Sequence, residues 1–194
     1  VFQAIERLSA SLGRWNDLVD ALLALVEIAT HVDRRMALLH NTAALCEGPL
    51  DDPGRAFDLL FEAWRSTGRS ELLGDVRRLA RRLRERDATR SDAALAEVVE
   101  VLGNRVDMSW DADDQIRCLR ILASVEWEDR HELGSAIAHV DRGVKIALEN
   151  DDADRVEAAE LQCDAARYLL DSGNREDAQA RIEGALALVA DHER

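Results

Sequence analysis

Apolar residues recur at i, i+4, i+7 and i+8 in five places along the chain: Leu18, Leu22, Leu25 and Val26; Ala56, Leu60, Ala63 and Trp64; Ala94, Val98, Val101 and Leu102; Ala136, Val140, Gly143 and Val144; Ala178, Ile182, Ala185 and Leu186. This spacing puts each set on one face of a helix. The sets start 38, 38, 42 and 42 residues apart, a period that fits one helical hairpin per repeat. Small residues fill most of the first and third positions and allow close helix approach, while Leu60, Val98 and Ile182 supply larger packing groups. Each set is preceded by a second amphipathic stretch, and the five candidates cover roughly 1–11, 34–47, 70–86, 112–129 and 155–171. Period-two alternation is scarce and β-branched runs are short, so the pattern predicts an all-α chain of antiparallel hairpins.

The junctions carry helix-start chemistry. Asp52 before Pro53 fits an N-cap with proline in the first turn. Ser91 is placed to cap the helix after a turn at 87–90, and Asn174 with Asp177 suits a capping box. Asp33, Ser70 and Ser109 or Asp111 are similar candidates, and Asn150–Asp152 closes one hairpin and opens the next. Gly13 and Gly173 occupy matching turns in the first and last repeats, and no linker is long enough to separate independent domains.

The array resembles tetratricopeptide (TPR) repeats, in the long-period form common in large bacterial regulatory and scaffolding proteins. The likeness is carried best by 159–190, with Ala165–Ala166, Leu169, Gly173–Asn174, Ala178, Ile182 and Ala185. It is carried next by 35–64, with Ala43–Ala44 and Asp52–Pro53–Gly54–Arg55–Ala56, and less fully by 119–144. Residues 70–103 are degenerate, with arginines where small residues are expected. The resemblance implies a right-handed α-solenoid, a TPR-like superhelix whose first helices line a concave face holding a peptide or protein. We therefore expect residues 1–194 to form a single TPR-like domain of about five hairpins within a larger protein. It also implies that Glu160, Cys163, Asp164, Arg167 and Asp171 face the concave side of the last repeat. Cys118, Ile121, Val125 and Glu128 are their counterparts one repeat earlier.

Charge adds a second layer. The 39 acidic residues outweigh 25 basic ones, for a net charge of -14 and a sequence pI near 4.8. Such a surface repels nucleic-acid phosphate and anionic membranes, so neither is an expected partner. Against this background, 75–90 carries seven arginines and three acids. Arg78, Arg82 and Arg86 lie one helical turn apart, with Arg77 and Arg81 alongside. These guanidinium groups suit an acidic peptide or protein, or they pair with acidic neighbours in the fold. Acids at 107–114, 126–132 and 149–154 suit a basic peptide, or serve solubility and helix starts. Complementarity between the arginine helix and the acidic carboxyl half also allows self-association.

The remaining chemistry is sparse. Cys46, Cys118 and Cys163 are an odd, widely spaced set, which suits buried thiols in a reducing compartment rather than a disulfide framework. Trp64 takes a position filled elsewhere by Val26, Leu102, Val144 and Leu186 and reads as core, whereas Trp15 and Trp110 lie near turns. No phosphate loop, dinucleotide motif, zinc-protease helix or nucleophile elbow is present. Glu128 and His131 resemble half of a carboxylate-bridged metal site but lack the second half. We expect no cofactor, no metal and no catalysis. The expected role is a cytoplasmic scaffold binding an unidentified protein or peptide, with Arg77, Arg78, Arg81, Arg82, Glu128, Glu160, Cys163, Asp164, Arg167 and Asp171 as contact residues. The alternative is a structural or self-assembling segment that positions flanking domains.

Overall fold

A computed structural model describes residues 11–149 and 155–192, so the expected first helix over 1–11 and the 150–152 junction lie outside the described residues. In chain order the helices are α1 (Trp15–Ile28), α2 (Val32–Glu47), α3 (Pro53–Thr67), α4 (Ser70–Arg84), α5 (Ala88–Met108), α6 (Ala112–Ser124), α7 (Leu133–Glu149), α8 (Arg155–Asp171) and α9 (Arg175–His192). A π-helical turn, Val125–Asp129, extends α6. The chain divides into two compact units, Val1–Asp92 and Ala93–Arg194. In the first, α1 packs on α2, α2 on α3 and α3 on α4; in the second, α6 packs on α7, α7 on α8 and α8 on α9. Each unit is an all-α stack of hairpins. The five apolar sets fall inside α1, α3, α5, α7 and α9, and the preceding stretches fall on α2, α4, α6 with its π turn, and α8.

The apolar spacing explains the packing. In the first unit α3 buries Ala56, Leu60, Ala63 and Trp64 on one face, and Trp64 is 1% exposed. Each fully buried large apolar side chain contributes about 1.5–3 kcal/mol. In the second unit Val140, Val144 and Ala147 of α7 join Ala158, Leu161, Ala165 and Tyr168 of α8 in one core. Gly143 makes this crossing close: a Cβ there would stand 3.1 Å from Leu161 Cδ1 and 3.9 Å from Leu119 Cβ. In the last repeat the outer side of the pattern is uncovered. Ile182 is 41% and Leu186 65% exposed, so Ile182 is not the interior packing group that its spacing suggests.

Several helix starts behave as their chemistry dictates. Asp52 accepts from the Arg55 backbone N–H at 2.9 Å, with Pro53 at the first helical position. Asp111 accepts from the Asp113 N–H at 3.2 Å, and Asn174 from the Asp177 N–H at 3.3 Å. Ser91 departs from its expected role. Asp87 caps α5 by accepting from the Arg90 N–H, while Ser91 is buried and donates to the Ala80 carbonyl of α4 at 2.7 Å. Asp33 and Ser70 also sit inside their helices, after His31 and Arg69 at the caps. Gly13, Gly68 and Gly173 adopt left-handed φ angles of 65°, 69° and 87°. Gly68 ends α3 in the conformation that costs glycine no side-chain clash.

The α6–α7 connection has its own device. The π turn lets the Arg130 N–H reach the Val125 carbonyl, and His131 follows with φ 62°. Glu126, 3% exposed, accepts from Arg130 Nη1 with both carboxylate oxygens at 2.9 Å. Burial pushes the Glu126 carboxyl above its ordinary range, against the opposing pull of Arg130.

Candidate partner-binding surfaces

The arginines of the first unit are engaged by neighbouring hairpins. Arg78 and Arg82 converge on Glu47 of α2: Arg78 Nη2 lies 2.9 Å from one carboxylate oxygen and Arg82 Nη1 2.7 Å from the other. These hydrogen bonds hold the Glu47 carboxyl below the usual range, Arg78 contributing most. Arg86 pairs with Asp51, and Arg84 with Asp92 at 3.1 Å. Arg77 is half-buried and Arg81 exposed on the same helix. The structure therefore puts Arg77, Arg78, Arg81 and Arg82 on α4 and ties two of them to one internal carboxylate.

The same arrangement runs along the second helix of each repeat. In the first unit Asp20 meets Arg55 at 3.1 Å, and Asp58 meets Arg90. In the second unit Asp107 meets Arg142 at 2.8 Å, and Asp141 meets Arg181, whose Nη2 lies 3.0 Å from Oδ2. In each pair the acid belongs to the earlier hairpin and the arginine to the next. Sequence reasoning missed these joints, although acids and arginines about one repeat apart were a readable signal.

The second unit gathers the other expected contact residues. Arg120 of α6 reaches Glu157 at 3.3 Å, and Glu160 and Asp164 at 3.1 Å each. Arg167 lies 3.7 Å from Glu128 and 3.9 Å from Asp164, and its guanidinium sits 5.1 Å from the Tyr168 ring centroid. Glu128, Glu160, Asp164 and Arg167 thus form one charged network across α6 and α8. Cys163 and Asp171 are exposed on α8 beside it. Their counterparts diverge one repeat earlier: Cys118 and Val125 are buried, and only Glu128 of that set reaches the surface fully. Next to the network lies an open groove of about 550 Å³. Its apolar walls are Val156, Ala159 and Cys163 of α8, and Ile182, Leu186 and Val189 of α9. Sequence reasoning placed Cys163 on a binding face but missed the α9 wall, because it assigned Ile182 and Leu186 to the interior.

Trp64 is core, Trp110 is fully exposed, and Trp127 packs with its ring centroid 6.4 Å from that of Tyr168. Among the described residues no group of three His, Cys, Asp or Glu side chains could hold a metal ion, and no helix is long and apolar enough to cross a membrane.

Stacked helical hairpins with small residues at the crossings are the architecture of α-solenoid repeat proteins. Among solved structures, the chain resembles a Podosopora anserina putative kinesin light chain with nearly identical TPR-like repeats. It does so at 19% identity and a TM-score of 0.50, covering 100% of this chain and 95% of that one. A single-substitution form of that protein is similar at 17% identity and a TM-score of 0.49, with the same coverage. BtubC (BKLC) from P. vanneervenii is similar at 13% identity and a TM-score of 0.45, covering 99% and 80% of the two chains. The fold is that of TPR-like repeats, and likeness at such low identity speaks to fold alone. No known family profile and no curated protein matches the sequence.

Proposed function

We propose that the chain is a noncatalytic scaffold that binds a protein or peptide through the outward face of α8. The charged network is the observation that carries this reading: Glu128, Glu160, Asp164 and Arg167 converge beside exposed Cys163 and Asp171, next to an apolar groove. Fixed charges at the rim of an apolar surface give a ligand both orientation and affinity. A repeat stack holds those groups on rigid helices, so little ordering is needed when the ligand arrives. The arginine face of Arg77, Arg78, Arg81 and Arg82 enters this reading only as a surface on which an acidic ligand must compete with Glu47 for Arg78 and Arg82.

Selection of displayed peptides on the immobilised chain, followed by anisotropy titration of the synthetic winners, tests the proposal. The expected result is saturable binding in the range of about 1–100 µM. Arg167→Glu weakens it at least tenfold, with helicity unchanged. Failure to select any peptide, or affinities indifferent to Arg167→Glu and Glu160→Lys, overturns the reading.

A further inference from the structure

One core position of the repeat has a charged member. α2, α4, α6 and α8 each carry a buried alanine, Ala43, Ala80, Ala123 and Ala165. Three residues after it comes a second buried position, filled by Cys46, Leu83 and Tyr168 at 0%, 5% and 1% exposed. After α6 the same position is Glu126, 3% exposed. A carboxylate in a core needs a cation, and a well-packed apolar side chain there is commonly as stable or more so. Desolvation indeed outweighs the pull of Arg130 on this carboxyl. Packing therefore gives no reason for the glutamate.

The turn that contains it gives one. Forty-two residues carry Glu126, Arg130, His131 and Glu132 onto Tyr168, Ser172, Gly173 and Asn174. The two turns are equally long, and each ends on a left-handed residue, His131 at φ 62° and Gly173 at φ 87°. Their hydrogen bonds differ in register. The Ser172 N–H donates to the Tyr168 carbonyl at 3.1 Å, and α8 stays α-helical through Asp171. After α6 the Arg130 N–H steps back one residue, to the Val125 carbonyl at 3.2 Å. The Glu126 carbonyl takes the Glu132 N–H instead, at 2.8 Å. The buried pair joins the two residues whose backbone groups have changed partners: Glu126 accepts from Arg130 Nη1 with both oxygens at 2.9 Å. Between them Glu128 reaches Arg167 of α8 at 3.7 Å. π-helical turns of this kind recur at functional sites.

We propose that the Glu126–Arg130 pair is a latch that holds this turn in its π register and so aims Glu128 at Arg167. Without the pair the turn takes the α register of its counterpart after α8, and Glu128 leaves Arg167. The proposal rests on the scaffold reading above for its ligand. To that site it adds two positioning residues, one of them too buried to touch a ligand.

The test replaces the pair with what the array uses at the same positions: Glu126→Leu, after Leu83, together with Arg130→Ser, after Ser172. No buried charge is left unpaired, so the double variant is expected to fold, with a urea midpoint at or above that of the wild type. Crystal structures of both read the register: the amide at position 130 moves from the carbonyl at 125 to that at 126. In solution the Arg167 Nε–H resonance shifts on Glu128→Gln in the wild type and stays in place in the double variant. Peptides selected on the wild-type chain bind the double variant several-fold more weakly, and Glu128→Gln weakens them only in the wild type. Glu126→Gln, which keeps the shape and removes the charge, moves the resonance in the same direction and replaces the double variant if that does not fold. A variant that keeps the π register, or an Arg167 resonance equally sensitive to Glu128→Gln with and without the pair, overturns the latch. Failure to select any peptide removes the scaffold reading alone, because register and resonance decide the latch without a ligand.

Discussion

Gly143 offers the most quantitative check on how the hairpins are joined. An alanine in a helix interior is favoured over glycine by about 0.8–1 kcal/mol. At Gly103 and Gly184, also in the second unit, an added Cβ meets nothing within 4 Å. Gly103→Ala and Gly184→Ala are therefore expected to stabilise that unit by about 1 kcal/mol each. At Gly143 the same methyl group arrives 3.1 Å from Leu161 Cδ1, and Leu161 is fully buried between α7 and α8. Overpacking of this kind costs about 1–3 kcal/mol, which exceeds or cancels the propensity gain. Gly143→Ala is thus expected to be less stable than either control variant by about 1–3 kcal/mol. In urea unfolding followed by circular dichroism, with a slope of about 2 kcal/mol per molar, the midpoints separate by about 0.5–1.5 M. Truncating the obstructing side chain supplies the second half of the test. In a Leu161→Ala background the new methyl has room, so a double-mutant cycle gives a coupling of about 1 kcal/mol or more. A Gly143→Ala midpoint as high as those of the controls, with no coupling to Leu161, refutes the claim that this contact sets the crossing distance.

Three other outcomes follow from the same structure. Glu47→Gln is expected to cost about 1 kcal/mol at pH 7, since hydrogen bonds to charged groups are worth more than this but both arginines are half exposed. Because the folded carboxyl titrates below its ordinary value of 4.5, that stability is present above about pH 4.5 and is lost as pH falls through the lowered folded value. The gap between wild type and variant should close in acid unfolding curves. Cys163 is expected to react with a thiol reagent well before Cys46 and Cys118, whose burial both shields the sulfur and pushes the thiol up. Mass spectrometry after brief labelling reads the order, and equal modification of all three cysteines contradicts it. Trp64→Ala removes a 1%-exposed indole and should cost about 3–5 kcal/mol in chemical unfolding of the first unit.

Much of the architecture was legible because helical packing repeats itself in the one-dimensional pattern. A small residue at Ala56, Ala94, Ala136 and Ala178 marks each crossing, and all four are fully buried. What escaped were features decided by residues distant in sequence. Ser91 looks like a cap because serine before an apolar run often is one, but the acceptor that claims its hydroxyl belongs to α4. For the arginines of α4, pairing with acidic neighbours was one of two readings, but which acids they meet was not legible, because Glu47 and Asp51 lie 31 to 35 residues earlier. Ile182 and Leu186 carry the spacing of core residues, and spacing alone does not say whether a helix follows to cover them. On α8, Glu160, Cys163 and Asp164 lie along one groove, while Arg167 and Asp171 lie outside its lining. Their positions follow from the angular periodicity of a single helix and need no distant partner.

The sign of the ion pairs along the second helices gives the array a direction. At Asp20–Arg55 and Asp58–Arg90, and again at Asp107–Arg142 and Asp141–Arg181, the donor of negative charge comes first in the chain. Along its second helix a hairpin of this kind is a tile with unlike edges, arginine on the side it turns to its predecessor and aspartate on the side it turns to its successor. Copying one in tandem sets an unlike pair at each new seam, whereas inserting one reversed sets like against like. An array built this way lengthens by duplication with the sign of each new second-helix pair already matched.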